Sequence, residues 1–331
     1  MQPELTLFEA EPPGYPSERA GAPVPEEERV DQTDAGDDVS SEIAQSSGAP
    51  RPTATVVILV VLMVVCVSTV FSFVFATQLS AFQEQRAQHQ LYAQLRGLLD
   101  PSSPVAPKIG GTIPQGFPVA LVNAKQAGIH DLVVAQGTSS ADLLSGPGHL
   151  PNTPLPGQKG DSVIMGKSTT AGAPFSHIGQ LAKGDVINVL TGEGTFKYVV
   201  ADTRSGSAKP RVLRSPSILT LITGNLSWSA GGGSHAAQLV YVDAALVGKI
   251  AGTPKGQPHT VTAADKPGSN DPNALPLVIM WLVVLLAASV ACWWLWARWG
   301  LTRTWIIGAP VLFTLLWVMS SEVMRFLPNV Y

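Results

Sequence analysis

A mainly β domain, tethered to a membrane by one helix before it and two after it, is the fold class this sequence predicts. Three observations lead there. Between residues 108 and 246, short alternating or continuous apolar runs are separated by Gly, Pro and Ser clusters, with no long helical period between them. Three apolar runs, at 56–76, 276–297 and 305–324, the first of them without a charge, each reach the roughly 20 residues that a helix needs to cross a bilayer. The composition agrees: 45% of residues are hydrophobic, only 14% are charged, and the mean hydropathy is +0.21.

Residues 1–50 carry twelve acids against two arginines and almost no aromatics. Such a segment cannot bury enough apolar surface to offset its ordering entropy, so it reads as a disordered acidic tail. EEERVDQTDAGDD within it serves as a solvating or an interaction tail. The run 56–76 is an anchor and not a cleaved signal, because fifty mostly acidic residues come before it. Over 78–99, Leu79, Phe82, Leu91, Tyr92, Leu95, Leu98 and Leu99 recur at helical spacing and predict a helical stalk that stops at Asp100-Pro101. Its apolar stripe packs on the domain or on a partner helix, and both remain open at this level.

Within 108–246 the expected strands are Phe117–Val122, Leu132–Ala135, Val163–Met165, Val186–Leu190, Phe196–Ala201, Ile218–Thr223 and Leu239–Leu246, with a short helical turn over Phe175–Leu181. Closely spaced strands of this kind build a barrel or a sandwich. Residues 247–275 are polar, broken by Pro and Gly, and read as a linker. The last two apolar runs are membrane spans, with a buried helical hairpin as the alternative. Arg51 precedes the first span, and Arg298 and Arg303 lie between the second and third. With three spans these basic points share one side, which the positive-inside rule places in the cytoplasm. The acidic N-terminus is then cytoplasmic, and the β domain and the end of the chain are extracytoplasmic, in a plasma membrane.

Several chemistries are excluded. Cys66 and Cys292 both lie in apolar runs, so there is neither a disulfide framework nor a cysteine metal site. His130, His149, His177, His235 and His259 show no ligand spacing and read as surface or loop residues, so no metal and no cofactor is expected. GDSVIMGKS imitates a phosphate loop, but five residues separate Gly160 from Gly166 where that loop has four, and no helix begins after it. No nucleotide partner follows, and the slight basic surplus after residue 50 implies no nucleic acid.

SGPGHLPNTPLPGQKGDSVIMG (145–166), GAPFSHIGQLAKGDVINV (172–189), FKYVVADTR (196–204), SILTLITG (217–224) and QLVYVDAAL (238–246) occur in an order that resembles the class E sortases. These are extracytoplasmic cysteine transpeptidases of the Gram-positive, and particularly actinobacterial, cell envelope. The resemblance covers roughly 129–246 and implies a closed sortase-like β-barrel.

It also implies where catalytic groups would stand. The imidazole position is Lys167, the thiol position Gly224 and the arginine position Gln238. Glycine has no nucleophile, and losing one typically costs on the order of 10⁶ in rate. A lysine with an ordinary pKa of about 10.4 is protonated at neutral pH, and Gln238 brings no positive charge to an oxyanion. The expectation is a pseudoenzyme, with no catalytic residues at these degenerate positions. Its groove, formed by Lys167, Ser168, Thr223, Asn225, His235 and Gln238, would hold a peptide, a wall component or a partner protein at the extracytoplasmic face. The alternatives are a structural subunit of a membrane complex, and a transpeptidase in which Lys167 activates a Ser or Thr hydroxyl.

Overall fold

The computed structural model describes residues 54–100, 112–206, 215–225, 238–252 and 261–331. The acidic tail, the connection before residue 112, the Gly-rich span 230–233 and His235 lie outside the described residues.

Helix α1 (Ala54–Val74) runs through a single π turn at Phe75–Leu79 into α2 (Ser80–Leu99). Eight strands then close a barrel: β1 (Pro118–Ala124), β2 (Ile129–Gln136), β3 (Gly148–His149), β4 (Gly160–Met165), β5 (Val186–Thr191), β6 (Gly194–Ser205), β7 (Ser217–Asn225) and β8 (Gln238–Val247). Their order around it is β1-β2-β3-β4-β7-β8-β6-β5. The pairs β2–β3 and β4–β7 are parallel, and the rest are antiparallel. The closed barrel decides between the barrel and the sandwich.

Strand periodicity explains the interior. On β6, Phe196, Tyr198 and Val200 point inward and Lys197 outward, as the two-residue pleat requires. They meet Ile187 and Val189 of β5, Leu219 and Leu221 of β7, and Val242 and Ala244 of β8. Tyr198 is buried whole because its hydroxyl is satisfied: it accepts from the Gly157 N–H at 2.6 Å and lies 3.1 Å from Ser217 Oγ. β7 is buried on both faces, one toward this interior and one toward the site described below. The sequence reading lacked β3, because two residues cannot display a period; its first strand begins one residue later, at Pro118, and ends at Ala124, and its other strands are longer in the structure by one to a few residues at their ends.

The stalk packs on its own domain. Leu91 and Leu95 of α2 lie on Leu121, Val133 and Ala135. Gln88 clamps the contact, donating to the Val133 and Ser145 carbonyls (3.0 and 2.8 Å) and accepting from the Val133 N–H at 2.9 Å.

Helices α3 (Ala274–Trp299) and α4 (Leu301–Phe326) form a hairpin that turns at Gly300, where φ is +83°. Together with the helix beginning at α1 they are long and apolar enough to cross a membrane. A buried hairpin would hide its apolar surface, yet only 6% of the apolar window of α3 and 17% of that of α4 are buried. Leu62 and Ile306 are 64% and 76% exposed, so the apolar faces suit lipid, not a protein core. Between α1 and α4, Phe71 meets Phe313 and Phe75 meets Trp317 edge-on, and Ser72 and Ser320 share a 3.0 Å hydrogen bond.

The region expected as a linker does more than connect. The Asp265 carboxylate accepts from the Thr138 N–H at 3.0 Å, and the Thr138 hydroxyl donates to the Asp265 carbonyl at 2.9 Å, which fastens this turn to the barrel.

Candidate functional site

Strand register builds the site. In the parallel β4–β7 pair Met165 stands opposite Ile222; the Gly166 N–H then donates to the Ile222 carbonyl at 3.0 Å and the Thr223 hydroxyl to the Gly166 carbonyl at 2.9 Å. Two residues past the last ladder pair on each strand stand Lys167 and Gly224, and both meet Tyr331, one through Nζ and the other under the ring. In the antiparallel β7–β8 pair Gly224 is opposite Leu239 and Asn225 is opposite Gln238. The structure therefore brings Lys167, Ser168, Thr223, Gly224, Asn225 and Gln238 to one end of three neighbouring strands. Asn225 and Gln238 are exposed at the rim, while Thr223 is buried with its hydroxyl committed to bracing Gly166.

The cleft over these strands is filled by the segment that follows α4. The Val330 side chain is buried among Leu143, Met165 and Ile222, with Tyr241 and Leu239 packed at its edge. The Val330 carbonyl accepts from the backbone N–H groups of Gly224 (3.1 Å) and Ser168 (3.2 Å) and from the Ser168 hydroxyl at 3.3 Å. The Tyr331 carbonyl oxygen accepts from the Thr170 hydroxyl at 2.6 Å and from Lys167 Nζ at 3.1 Å.

Asn329, wholly buried, is the best-satisfied side chain of the segment. Its amide donates to the Thr138 and Lys266 carbonyls (2.8 and 2.9 Å) and accepts from the Gly268 N–H at 2.9 Å, and its backbone N–H donates to the Ser269 carbonyl at 2.8 Å. The Tyr331 ring lies flush against Gly224. A Cβ at position 224 would come far closer to ring atoms Cε1, Cδ1 and Cζ than van der Waals contact allows.

Lys167 is fully buried, and its desolvated ammonium is held down to about pKa 8. Below it stands Phe175, whose N–H donates to the Lys167 carbonyl at 3.0 Å. The Phe175 ring is so close to Gly166 that a Cβ there would sit 2.6 Å from it. The sequence reading had a groove open for a ligand. It missed Thr170, Asn329, Val330 and Tyr331, for no periodicity or motif marks a short segment that follows a membrane helix.

His149 differs from its expected place in a loop. It is buried in β3, with Nδ1 at 2.9 Å from Gln136 Oε1 and Nε2 at 2.9 Å from the Pro154 carbonyl and 3.1 Å from the Thr153 hydroxyl. Burial lowers its pKa to about 4, against an unperturbed value of about 6.5. The unfolded chain therefore takes up a proton below about pH 6.5 that the folded one refuses until about pH 4, so stability falls with pH across that window and levels off beneath it. The loss expected is on the order of 3 kcal/mol. His149→Gln should flatten this part of the profile, checked by urea midpoints of both proteins at pH 7, 5.5 and 4.5.

Among the described residues no cluster of three His, Cys, Asp or Glu could hold a metal. Compared with known proteins, residues 124–246 match the sortase domain family model. Sortase D of Bacillus subtilis is 32% identical over 74 residues, a match that spans 22% of this chain and 36% of that protein. Among solved structures, the Clostridium perfringens sortase D5 transpeptidase is 22% identical, with 49% of this chain and 99% of that chain covered and a TM-score of 0.39. Sortase E of Streptomyces avermitilis is 27% identical over 41% of this chain and 91% of its own, with a TM-score of 0.33.

Proposed function

From the match of residues 124–246 to the sortase domain family model we propose that the chain is a membrane-anchored, extracytoplasmic sortase-like binding module that holds a peptide and does not cleave it. The observation that carries this reading is Gly224. It occupies the position that the motif resemblance assigns to the family's thiol, and the space where a side chain would begin is taken by the Tyr331 ring. The chain's two cysteines, Cys66 and Cys292, lie in the apolar helices α1 and α3.

Lys167 does not supply an alternative base in this arrangement. Its ammonium donates to the main-chain oxygen of Tyr331; the Thr170 hydroxyl donates to that same oxygen, and the Thr223 hydroxyl is spent on Gly166. Gln238 stands at the exposed rim, where it can hydrogen-bond a ligand but brings it no charge.

The membrane placement has its own support. The ends of α1 and α4 toward the barrel lie opposite the end that carries Arg298 and Arg303, so the positive-inside rule puts that basic end in the cytoplasm and the barrel outside.

The test is turnover. The full chain in detergent, given a quenched fluorescent sortase-substrate peptide and an amine acceptor, should release no product above the rate without protein. Release that disappears in Lys167→Ala would establish the lysine-dependent transpeptidase instead.

A further inference from the structure

We propose that the cleft is a receptor for a peptide turn reading asparagine, then a small branched apolar residue, then an aromatic one, and that residues 329–331 of this chain, in a turn closed by the Tyr331 N–H donating to the Pro328 carbonyl at 3.3 Å, are its resident ligand. This deepens the binding-module reading by naming the ligand's chemistry.

Each position meets a separate device. Asn329 faces two backbone carbonyls and one backbone N–H at hydrogen-bond distance, so an amide fits. A carboxylate there would set negative charge against those carbonyls, and an apolar side chain would take from the Thr138 carbonyl and the Gly268 N–H the partner that Asn329 gives them, while Lys266 keeps Ser269. Val330 fills an apolar pocket closed by Leu143, Met165 and Ile222, which suits a branched apolar side chain. Tyr331 lies where Gly224 has no Cβ, so the ring site exists because that residue is glycine. The backbone is gripped independently, by Gly224, Ser168, Thr170 and Lys167.

The resident segment is joined to α4 through Leu327 and Pro328 alone, so its effective concentration at the cleft is on the order of millimolar or higher. A free peptide binds only to the open fraction, and its apparent affinity drops by that fraction. The cleft thereby also clasps the barrel end of α4, so movement of that helix and opening of the cleft are one equilibrium.

Access to Lys167 reports the state of the cleft. At pH 8.5 a lysine held near pKa 8 is largely neutral and intrinsically reactive, so protection from an acylating reagent measures shielding and not charge. The full chain in detergent is treated with sulfo-N-hydroxysuccinimidyl acetate, and acetylation of Lys167 is compared by peptide mass spectrometry with that of the exposed Lys125, Lys183 and Lys197.

Lys167 should react at least tenfold more slowly than these references. Deleting residues 328–331 should bring it to within about threefold of them, and so should the full-length variant Asn329→Leu, which serves should the deletion misfold. Acetyl-Pro-Asn-Val-Tyr-amide at millimolar concentration should restore protection to the deletion protein, and the scrambled acetyl-Pro-Val-Asn-Tyr-amide should not. The proposal is overturned by Lys167 reacting like the references in the unaltered chain, by its staying protected in both variants, or by equal protection from both peptides. Turnover in the transpeptidase assay would remove the non-catalytic reading alone and leave this result standing.

Discussion

Truncating Phe175 to alanine is expected to destabilise the barrel by about 3–5 kcal/mol, the usual range for deleting a fully buried aromatic side chain. Phe175 has no exposed surface and belongs to the main apolar core. Its ring supports Gly166, and its N–H holds the Lys167 carbonyl, so one side chain carries both core packing and the position of the cleft floor. The cavity left by alanine lies against Gly166 at the end of β4. Phe175→Leu retains most of the volume and should cost less than half as much. Pulse proteolysis of the full chain in urea, scored on barrel peptides, measures both. A loss below about 1 kcal/mol for the alanine variant would mean that the floor is held from elsewhere.

Asp243→Ala should cost a comparable amount, about 3–5 kcal/mol, because it strips one partner from a buried ion pair. Arg204 Nε lies 2.8 Å from Asp243 Oδ2, with the two side chains only 12% and 5% exposed. The guanidinium also stacks 4.1 Å above the Tyr241 ring, and Thr220 Oγ1 is 3.0 Å from carboxylate oxygens of both Asp243 and Asp161. Without Asp243 the guanidinium stays buried beside an acid, Asp161, whose carboxyl is pushed upward chiefly by its own burial.

Most of the loss is therefore the penalty of a stranded charge and not the net worth of the pair. That distinction is measurable: Arg204→Met combined with Asp243→Ala should be markedly more stable than Asp243→Ala alone, with a coupling energy of about 1–3 kcal/mol in a double-mutant cycle. Additive losses would show that the two side chains do not depend on each other.

The barrel was largely legible from the chain because its signals are local. Alternation along Phe196, Tyr198 and Val200 marks a pleated strand wherever the strand ends up. β3 escaped because Gly148 and His149 form a strand only through partners on β2 and β4. His149 escaped for the same reason, since nothing near it in sequence announces burial. The stalk's apolar stripe was visible, but the surface that receives it, Leu121 and Val133, comes from other strands. At the site, the motif resemblance assigned positions to Lys167, Gly224 and Gln238, and the strand registers bring the ends of β4, β7 and β8 that carry them to one side of the barrel.

What the amino-acid sequence by itself determined is an inventory. The barrel region contains no thiol, three segments are apolar enough for a bilayer, and the positions that resemble a transpeptidase's reactive groups carry a lysine, a glycine and a glutamine. Inventories of this kind follow from composition and short-range period, which do not depend on how the chain returns on itself. Only the tertiary structure decided that the cleft is occupied, and by what. Lys167 meets Tyr331 across 164 residues, after the chain has travelled through the rest of the barrel and both helices of the α3–α4 hairpin. A contact across such a separation is set by where those elements pack, and no stretch of sequence near either residue encodes it.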